Sequence, residues 1–377
     1  MVRIKYITNV RLPTPRAHGY AIMKMCEEFK IAGADLELII PDRKNSEIKK
    51  DPFEYYGIKN SFKINRIKSL DLLGPFFAFG KLFYWIDTIS FLLSIFLSNV
   101  VGKKDIVYTR DFIIPLLFSK KRNVCLELHD IPQSNFLFKL AIKRPKLFFV
   151  LNKNIKLELV KMGVKEEIIH IFPSGVEIKE FDIQISQKEA REKLTLPSDK
   201  KLIIYSGQFY SWKGVDALAE SARFLQDYYF VFVGGTEPEL SKFKKEYGNL
   251  KNISIESFKE RSIIPLYLKS ADVLVIPQSV KEKISTHYSS PLKMFEYMAS
   301  GRPIVASDLS SIRETLDEES AIFAESDNPK SFMEAIKKVL SDEDLATRIS
   351  ENAYNKVLQY SWAERARNIL DIIEKNK

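Results

Sequence analysis

The chain is predicted to be an α/β protein built from two Rossmann-like halves. Three observations point there. Short apolar segments rich in β-branched and aromatic residues alternate with segments of helical periodicity along the whole chain. The pattern lapses over residues 174–200, where Gln, Lys, Glu and Ser dominate, and then restarts. A length of 377 residues favours two domains over one. Residues 1–173 are therefore expected to form one domain, 174–200 a linker with a connecting helix, and 201–360 a second domain. Residues 361–377 form a last segment.

In the first half, residues 3–10 read as a strand. A polar, Pro-containing loop follows at 12–19, then a helix over 20–32 that Gly33 closes, then a strand at 36–40. In such a β-loop-α-β unit ligands sit at the carboxyl ends of strands. Gly19, at the helix start, would let backbone approach a phosphate closely. There is no G-x-G-x-x-G, which argues against a nicotinamide cofactor. Residues 43–68 read as loop with a short strand near 62–67.

The most apolar stretch runs over 72–97, interrupted by Gly74-Pro75, Lys81 and Asp87. It lacks 18 consecutive uncharged apolar residues, so a spanning helix is not expected. Residues 75–85 admit two readings, an aromatic surface dipping into a bilayer or core, while 89–97 are read as core. Strands follow at 105–111, 123–132, 146–152 and 168–172, with a helix at 155–161. One of them ends in His129-Asp130, and a His at a strand's carboxyl end points toward the ligand crevice.

In the second half, a strand at 202–205 leads through Ser206-Gly207-Gln208 to Trp212-Lys213-Gly214 and a helix over 215–225. Lys213, just before that helix, can neutralise a phosphate, or it is one more solvated lysine. Strands at 228–233, 253–255, 273–276 and 304–306 alternate with helices at 239–247, 263–270 and 291–300. The last helix is the most informative. Ser290 suits the N-cap, Pro291 the first helical position, and Gly301 a left-handed residue after the end. Its free N–H groups would bind an anion, and Glu296 would accept hydrogen bonds from hydroxyls beside it, unless Glu296 is merely solvated.

Composition bounds the function classes. At 45% hydrophobic and 12% aromatic residues, full cores are affordable and disorder is not indicated. Cys26 and Cys125 sit among apolar neighbours and read as buried small hydrophobes. With four histidines and two cysteines no metal-ligand spacing is present, so no metal is expected. The start lacks a secretory h-region, so a cytoplasmic protein is expected. The net charge of +9 is uneven: residues 1–172 hold 29 Lys/Arg against 17 Asp/Glu, and the rest 29 against 32. A basic first half implies an anionic partner such as a membrane surface, a lipid phosphate or a nucleic acid, or simple solubilising charge. No nucleic-acid-binding motif is recognisable.

Taken in order, these residues resemble the retaining GT-B glycosyltransferases of family 4, also called group 1. The matching pieces are His18-Gly19, His129-Asp130, Phe172-Pro173-Ser174-Gly175-Val176, Trp212-Lys213-Gly214-Val215-Asp216, Ala271-Asp272-Val273-Leu274-Val275-Ile276-Pro277, the 289–314 stretch and Ser361-Trp362-Ala363-Glu364-Arg365-Ala366. The resemblance implies two Rossmann-like domains facing across a cleft, with the last helix crossing back to the first. It implies a nucleotide-diphosphate sugar as donor in the second domain, a glycan or lipid-linked acceptor in the first, and no cofactor.

Carried over, Lys213 contacts the diphosphate beside Gly207 and Gln208. The backbone at Ser290, Pro291 and Leu292 cradles the distal phosphate, with Ser289 also donor-binding and Lys293 adding charge, and Glu296 holds the ribose. Phe258 and Lys259 flank the base, Gly19 approaches the diphosphate, and His129 stands at the sugar. Two departures stand out: Tyr288 occupies the place of the first glutamate of the family's pair, and Gln208 that of its usual arginine. The expected activity is metal-independent, retaining sugar transfer in glycan, glycolipid or cell-envelope polysaccharide synthesis, with peripheral contact to an anionic inner-membrane face. A nucleotide-sugar epimerase or hydrolase and a non-catalytic binding or scaffold protein are the alternatives. Base, sugar, linkage and oligomeric state are not legible.

Overall fold

The structure, a computed structural model, describes residues 1–43, 45, 48–72, 80–132 and 136–376; of Lys81 and Ile284 only the backbone is described. The chain divides into two compact units, Met1–Phe172 with Trp362–Lys377, and Pro173–Ser361.

The first unit is a seven-stranded parallel sheet of β1 (Arg3–Ile7), β2 (Asp35–Pro41), β3 (Lys63–Ile67), β4 (Ile106–Thr109), β5 (Val124–Leu128), β6 (Leu147–Val150) and β7 (Ile169–Ile171), in the order β3-β2-β1-β4-β5-β6-β7. Strands buried on both faces read as continuous apolar runs, as Val124-Cys125-Leu126 and Leu147-Phe148-Phe149-Val150 do. The order reverses between β1 and β4, the position where doubly wound sheets open a crevice. The helix after β1 starts earlier than its apolar periodicity suggested, at Ala17 rather than Tyr20. Gly19 is thus its third residue, and its N–H donates to Arg16 O at 3.0 Å. The chain's last helix, Trp362–Lys375, packs on helix Ala17–Ile31 and buries Trp362, Ala366, Ile369 and Ile373, spaced for one helical face.

The stretch read as core is only half so. In helix Gly80–Ser98, Phe91 and Ile95 join the core, while Ile89, Leu93, Phe96 and Leu97 are exposed. A 19-residue helix on one sheet face can turn only one stripe inward. Of the stretch 75–85, residues 75–79 lie outside the described residues. Among the described residues no helix is long and apolar enough to cross a membrane.

The second unit is a six-stranded parallel sheet: β8 (Lys201–Ser206), β9 (Tyr228–Gly235), β10 (Ile253–Ser257), β11 (Val273–Ile276), β12 (Ile304–Ser307) and β13 (Ile322–Ala324), ordered β10-β9-β8-β11-β12-β13. Separate apolar clusters cover its two faces.

Residues 174–200 are not a linker. Val176 N donates to Tyr360 O at 3.0 Å, Phe181 is fully buried, and Arg191 on helix Gln187–Leu194 pairs with Asp272 at 2.6 Å. Their polar composition reflects one solvated face of packed segments rather than free chain.

Candidate active site

In the second unit the site is built at the carboxyl ends of β8, β9 and β11, beside the order reversal between β8 and β11. Gly207 follows β8 at φ +143°, a conformation that favours glycine, and Lys293 Nζ lies where a Cβ would point. The short turn Ser211–Lys213 carries Lys213, and Gly214 follows at φ +66° with its Cα pressed against Pro277 O. Trp212 O accepts from Ser279 N at 3.1 Å, which fixes the loop.

Lys213 Nζ lies 3.7 Å from the Trp212 ring centre, and Lys293 Nζ 3.7 Å from that of Tyr205. Neither lysine makes an ion pair among the described residues. Burial pushes the Lys213 ammonium down to about 7. Lys293 is held well below the ordinary lysine value by burial first and then by the charge of Lys213. Two lysine amines kept close together on aromatic faces, with no ion-pair partner among the described residues, form a site that an anion would bring to full charge.

Helix Leu292–Ala299 forms the adjoining wall, tied to β8 by Ser206 N donating to Tyr297 Oη at 2.7 Å. Its capping differs from the sequence expectation. Pro291, at φ −69° and ψ 128°, is the N-cap, and no side chain caps the start. Ser290 lies outside the helix. Its Oγ accepts from Ser174 N at 3.1 Å and its carbonyl from Ser174 Oγ at 2.7 Å. A proline N-cap has no side-chain acceptor, which leaves the first-turn N–H groups of Leu292 and Lys293 uncapped by side chains. Ser289 Oγ accepts from Gln278 Nε2 at 3.1 Å; Gln278 is buried, and its Oε1 has no partner among the described residues.

Glu296 is buried rather than solvated, and its Oε1 accepts from Arg261 at 2.8 Å; Arg261 also reaches Glu180 at 3.0 Å. One carboxylate oxygen therefore has a fixed partner that sequence reading did not supply. Gln208 is also engaged, its Oε1 accepting from Thr236 Oγ1 at 2.8 Å. Phe258 is exposed, with its N–H on Gly235 O at 3.0 Å, and Lys259 pairs with Glu256 at 3.2 Å. Tyr288 is buried in the turn Ile284–Tyr288. So Gly207, Lys213 and Lys293 converge, while Ser290 and Lys259 spend polar groups elsewhere.

In the first unit, described by itself, His129 follows β5 and its ring belongs to a buried charge cluster. Glu127 is fully buried; its Oε1 accepts from Arg110 at 2.8 Å and Arg365 at 3.0 Å and lies 2.7 Å from His129 Nε2, with Tyr108 Oη on its other oxygen. Burial works to raise its pKa, yet Arg110 and Arg365 hold it well below the usual carboxylate range. His129 is pushed down to about 4 by burial and by Arg110, so its imidazole is neutral at pH 7. His129 Nε2 faces both the Glu127 carboxylate and the Arg110 guanidinium, so that edge of the ring is committed to the cluster.

The close approach at Gly19 is made by the protein itself: a Cβ there would collide with Tyr56 Oη, which donates to Thr14 O at 2.8 Å. The sequence carried one signal for the missed Glu127, a lone charge inside the apolar run Val124-Cys125-Leu126-Glu127-Leu128. Nothing in the sequence pairs Arg365, 238 residues further on, with it. Cys26 and Cys125 are buried and free, as expected.

Comparison with known proteins adds the following. Residues 186–356 match the family described as "Glycosyl transferases group 1". The chain is 31% identical over 251 residues to N,N'-diacetylbacillosaminyl-diphospho-undecaprenol alpha-1,3-N-acetylgalactosaminyltransferase of Campylobacter jejuni, covering 64% of each chain. It is 25% identical over 229 residues to D-inositol 3-phosphate glycosyltransferase of Xylanimonas cellulosilytica, covering 57% of this chain and 53% of that one. The chain thus spans less than two thirds of the length of these relatives. Sucrose-phosphate synthase from Thermosynechococcus elongatus superposes with a TM-score of 0.77 at 16% identity, over 100% of this chain and 99% of that one. Anabaena Alr3699/HepE in complex with UDP-glucose does so at 0.76 and 12%, over 100% of both. These likenesses show the GT-B fold.

Proposed function

We propose that this chain, a GT-B protein whose second unit carries the glycosyl transferases group 1 domain, transfers a sugar from a nucleoside-diphosphate donor to an acceptor hydroxyl with retention of configuration. The single observation that carries the reading is the pair of desolvated lysine amines, Lys213 and Lys293, with no ion-pair partner among the described residues. A diphosphate supplies the missing anion, and the uncapped start of helix Leu292–Ala299 adds N–H donors to it. In this reading Leu292 and Lys293 offer backbone to the distal phosphate, Glu296 uses the oxygen not held by Arg261 for ribose hydroxyls, and Phe258 covers the base. The neutral His129 of the first unit holds a sugar hydroxyl.

The bond from the anomeric carbon to the diphosphate oxygen breaks, and its electrons leave with the diphosphate. The acceptor oxygen bonds the same carbon from the same face, and its proton passes to the departing phosphate oxygen. The protein's part is electrostatic, since Lys213 and Lys293 stabilise charge developing on the leaving group. Those two cations do the work a divalent ion would otherwise do, so the reading calls for neither metal nor cofactor. The relatives' names speak of a diphospho-undecaprenol and of an inositol phosphate. A lipid-linked or otherwise anionic acceptor, met at the cytoplasmic face of a membrane, extends the same reading to this chain.

A panel of UDP-, GDP- and ADP-sugars tests binding, and product analysis with and without acceptor separates transfer from hydrolysis or epimerisation. Lys213→Ala is expected to fold normally and lose about a hundredfold or more in turnover; near-normal transfer by that variant removes the phosphate assignment. Tyr288, standing where the family has a glutamate, and the engaged Gln208 favour a second reading, a nucleotide-sugar-binding protein without turnover. Tight donor binding with no product from any acceptor would support it.

A further inference from the structure

Helix Gly80–Ser98 in the first unit has two apolar faces, and only one is used. Phe91 and Ile95 pack into the core beside Ile7, Ile39 and Val107. On the other side Leu82, Trp85, Ile89, Leu93, Phe96 and Leu97 are between 36% and 79% exposed. Their spacing of three or four residues, ending in an adjacent pair, lays them along one stripe roughly 20 Å long. The helix has a single carboxylate, Asp87, and it is buried. Contiguous apolar surface of this kind marks an interaction site rather than ordinary exposure.

Charge at the end of the stripe identifies the partner. Lys103 and Lys104 lie exposed just after the helix. Arg122 donates to Val101 O at 3.4 Å and to Gly102 O, and this brings the exposed Lys120 and Lys121 to the same end. None of the four lysines makes an ion pair among the described residues. The nearby Asp105 is buried and paired with Arg3 at 3.2 Å. An apolar stripe too short to span a bilayer, ending in a cluster of uncompensated cations, fits one surface chemistry: acyl chains below a layer of anionic headgroups.

We propose that this face docks the chain onto an anionic phospholipid surface, with helix Gly80–Ser98 lying in the interface plane and the lysine cluster on the headgroup phosphates. The inference extends the glycosyltransferase reading to a partner, but its test reads binding alone, so either can fail without the other. The intact chain is sedimented with vesicles of phosphatidylcholine, with and without phosphatidylglycerol, at low and high salt. Binding is expected only with the anionic lipid and is expected to weaken steeply with salt. F96E/L97E and K103E/K104E are each expected to lose about tenfold or more in partitioning. Both pairs are exposed, so thermal midpoints should stay unchanged. Equal binding to neutral vesicles, no binding to anionic ones at low salt, or variants that bind like the parent would overturn it. So would a concentration-dependent dimer abolished by F96E/L97E without any vesicle binding, since the stripe would then face a second copy.

Discussion

Binding of a nucleoside diphosphate should draw protons out of solution. In the unliganded protein burial holds the Lys213 ammonium at about 7, and Lys293 sits well below its ordinary value because of burial and the neighbouring charge. A diphosphate placed against both supplies the attraction that offsets the cost of a buried ammonium and returns Lys213 toward ordinary lysine behaviour, near 10.4. At pH 7 about half of Lys213 is neutral and at pH 8 about nine tenths, so binding takes up roughly 0.5 and 0.9 proton from that residue alone. The affinity should then fall about twentyfold between pH 7.5 and 9, a range where the terminal phosphate is already fully ionised. Calorimetric titration with UDP or GDP in two buffers of different ionisation enthalpy reads the proton count directly. Zero uptake together with flat affinity across that range would refute the argument. The stability linkage has the opposite sign. The unfolded chain binds more protons at Lys213 than the folded one between about pH 7 and 10, so the unliganded protein gains stability as pH rises through that window.

Two further predictions concern stability. Glu127→Gln leaves Arg110 and Arg365 facing each other across a buried, uncharged amide, and should cost about 3–5 kcal/mol in denaturant unfolding. Because Glu127 is held well below its unfolded value, its contribution in the native protein is complete above that value. It is lost as pH falls through the folded one, so the variant should also flatten the acid limb of the stability profile. Gly214→Ala combines a positive φ with a Cβ driven onto Pro277 O; it should cost about 2 kcal/mol or more and lower the thermal midpoint by several degrees.

Much of the fold was legible because parallel strands are local signals. Val273–Ile276 and 304–306 are unbroken apolar runs flanked by turn residues, and any register in which both faces are buried gives that pattern. The polar stretch 174–200 misled for the converse reason. Composition reports solvent on one face but not that Phe181 and Arg191 anchor the other. Ser290 misled because Ser-Pro satisfies the capping rule one residue early, and only the distant Ser174 shows where its hydroxyl is spent.

By itself the sequence determined the two alternating α/β patterns, the positive-φ glycine after helix Leu292–Ala299, and the residue types able to meet a diphosphate, Lys213 and Lys293 beside helix starts. These depend on neighbours within a few positions, which periodicity and turn chemistry report. Only the tertiary structure decided that Lys213 and Lys293 share one desolvated corner, that Glu296 already holds Arg261, and that His129 leans on a carboxylate clamped by Arg365 from the far end of the chain. A side chain's charge state and free valences are set by what folding brings within a few ångströms, and residues hundreds apart along the chain carry no mark of that proximity.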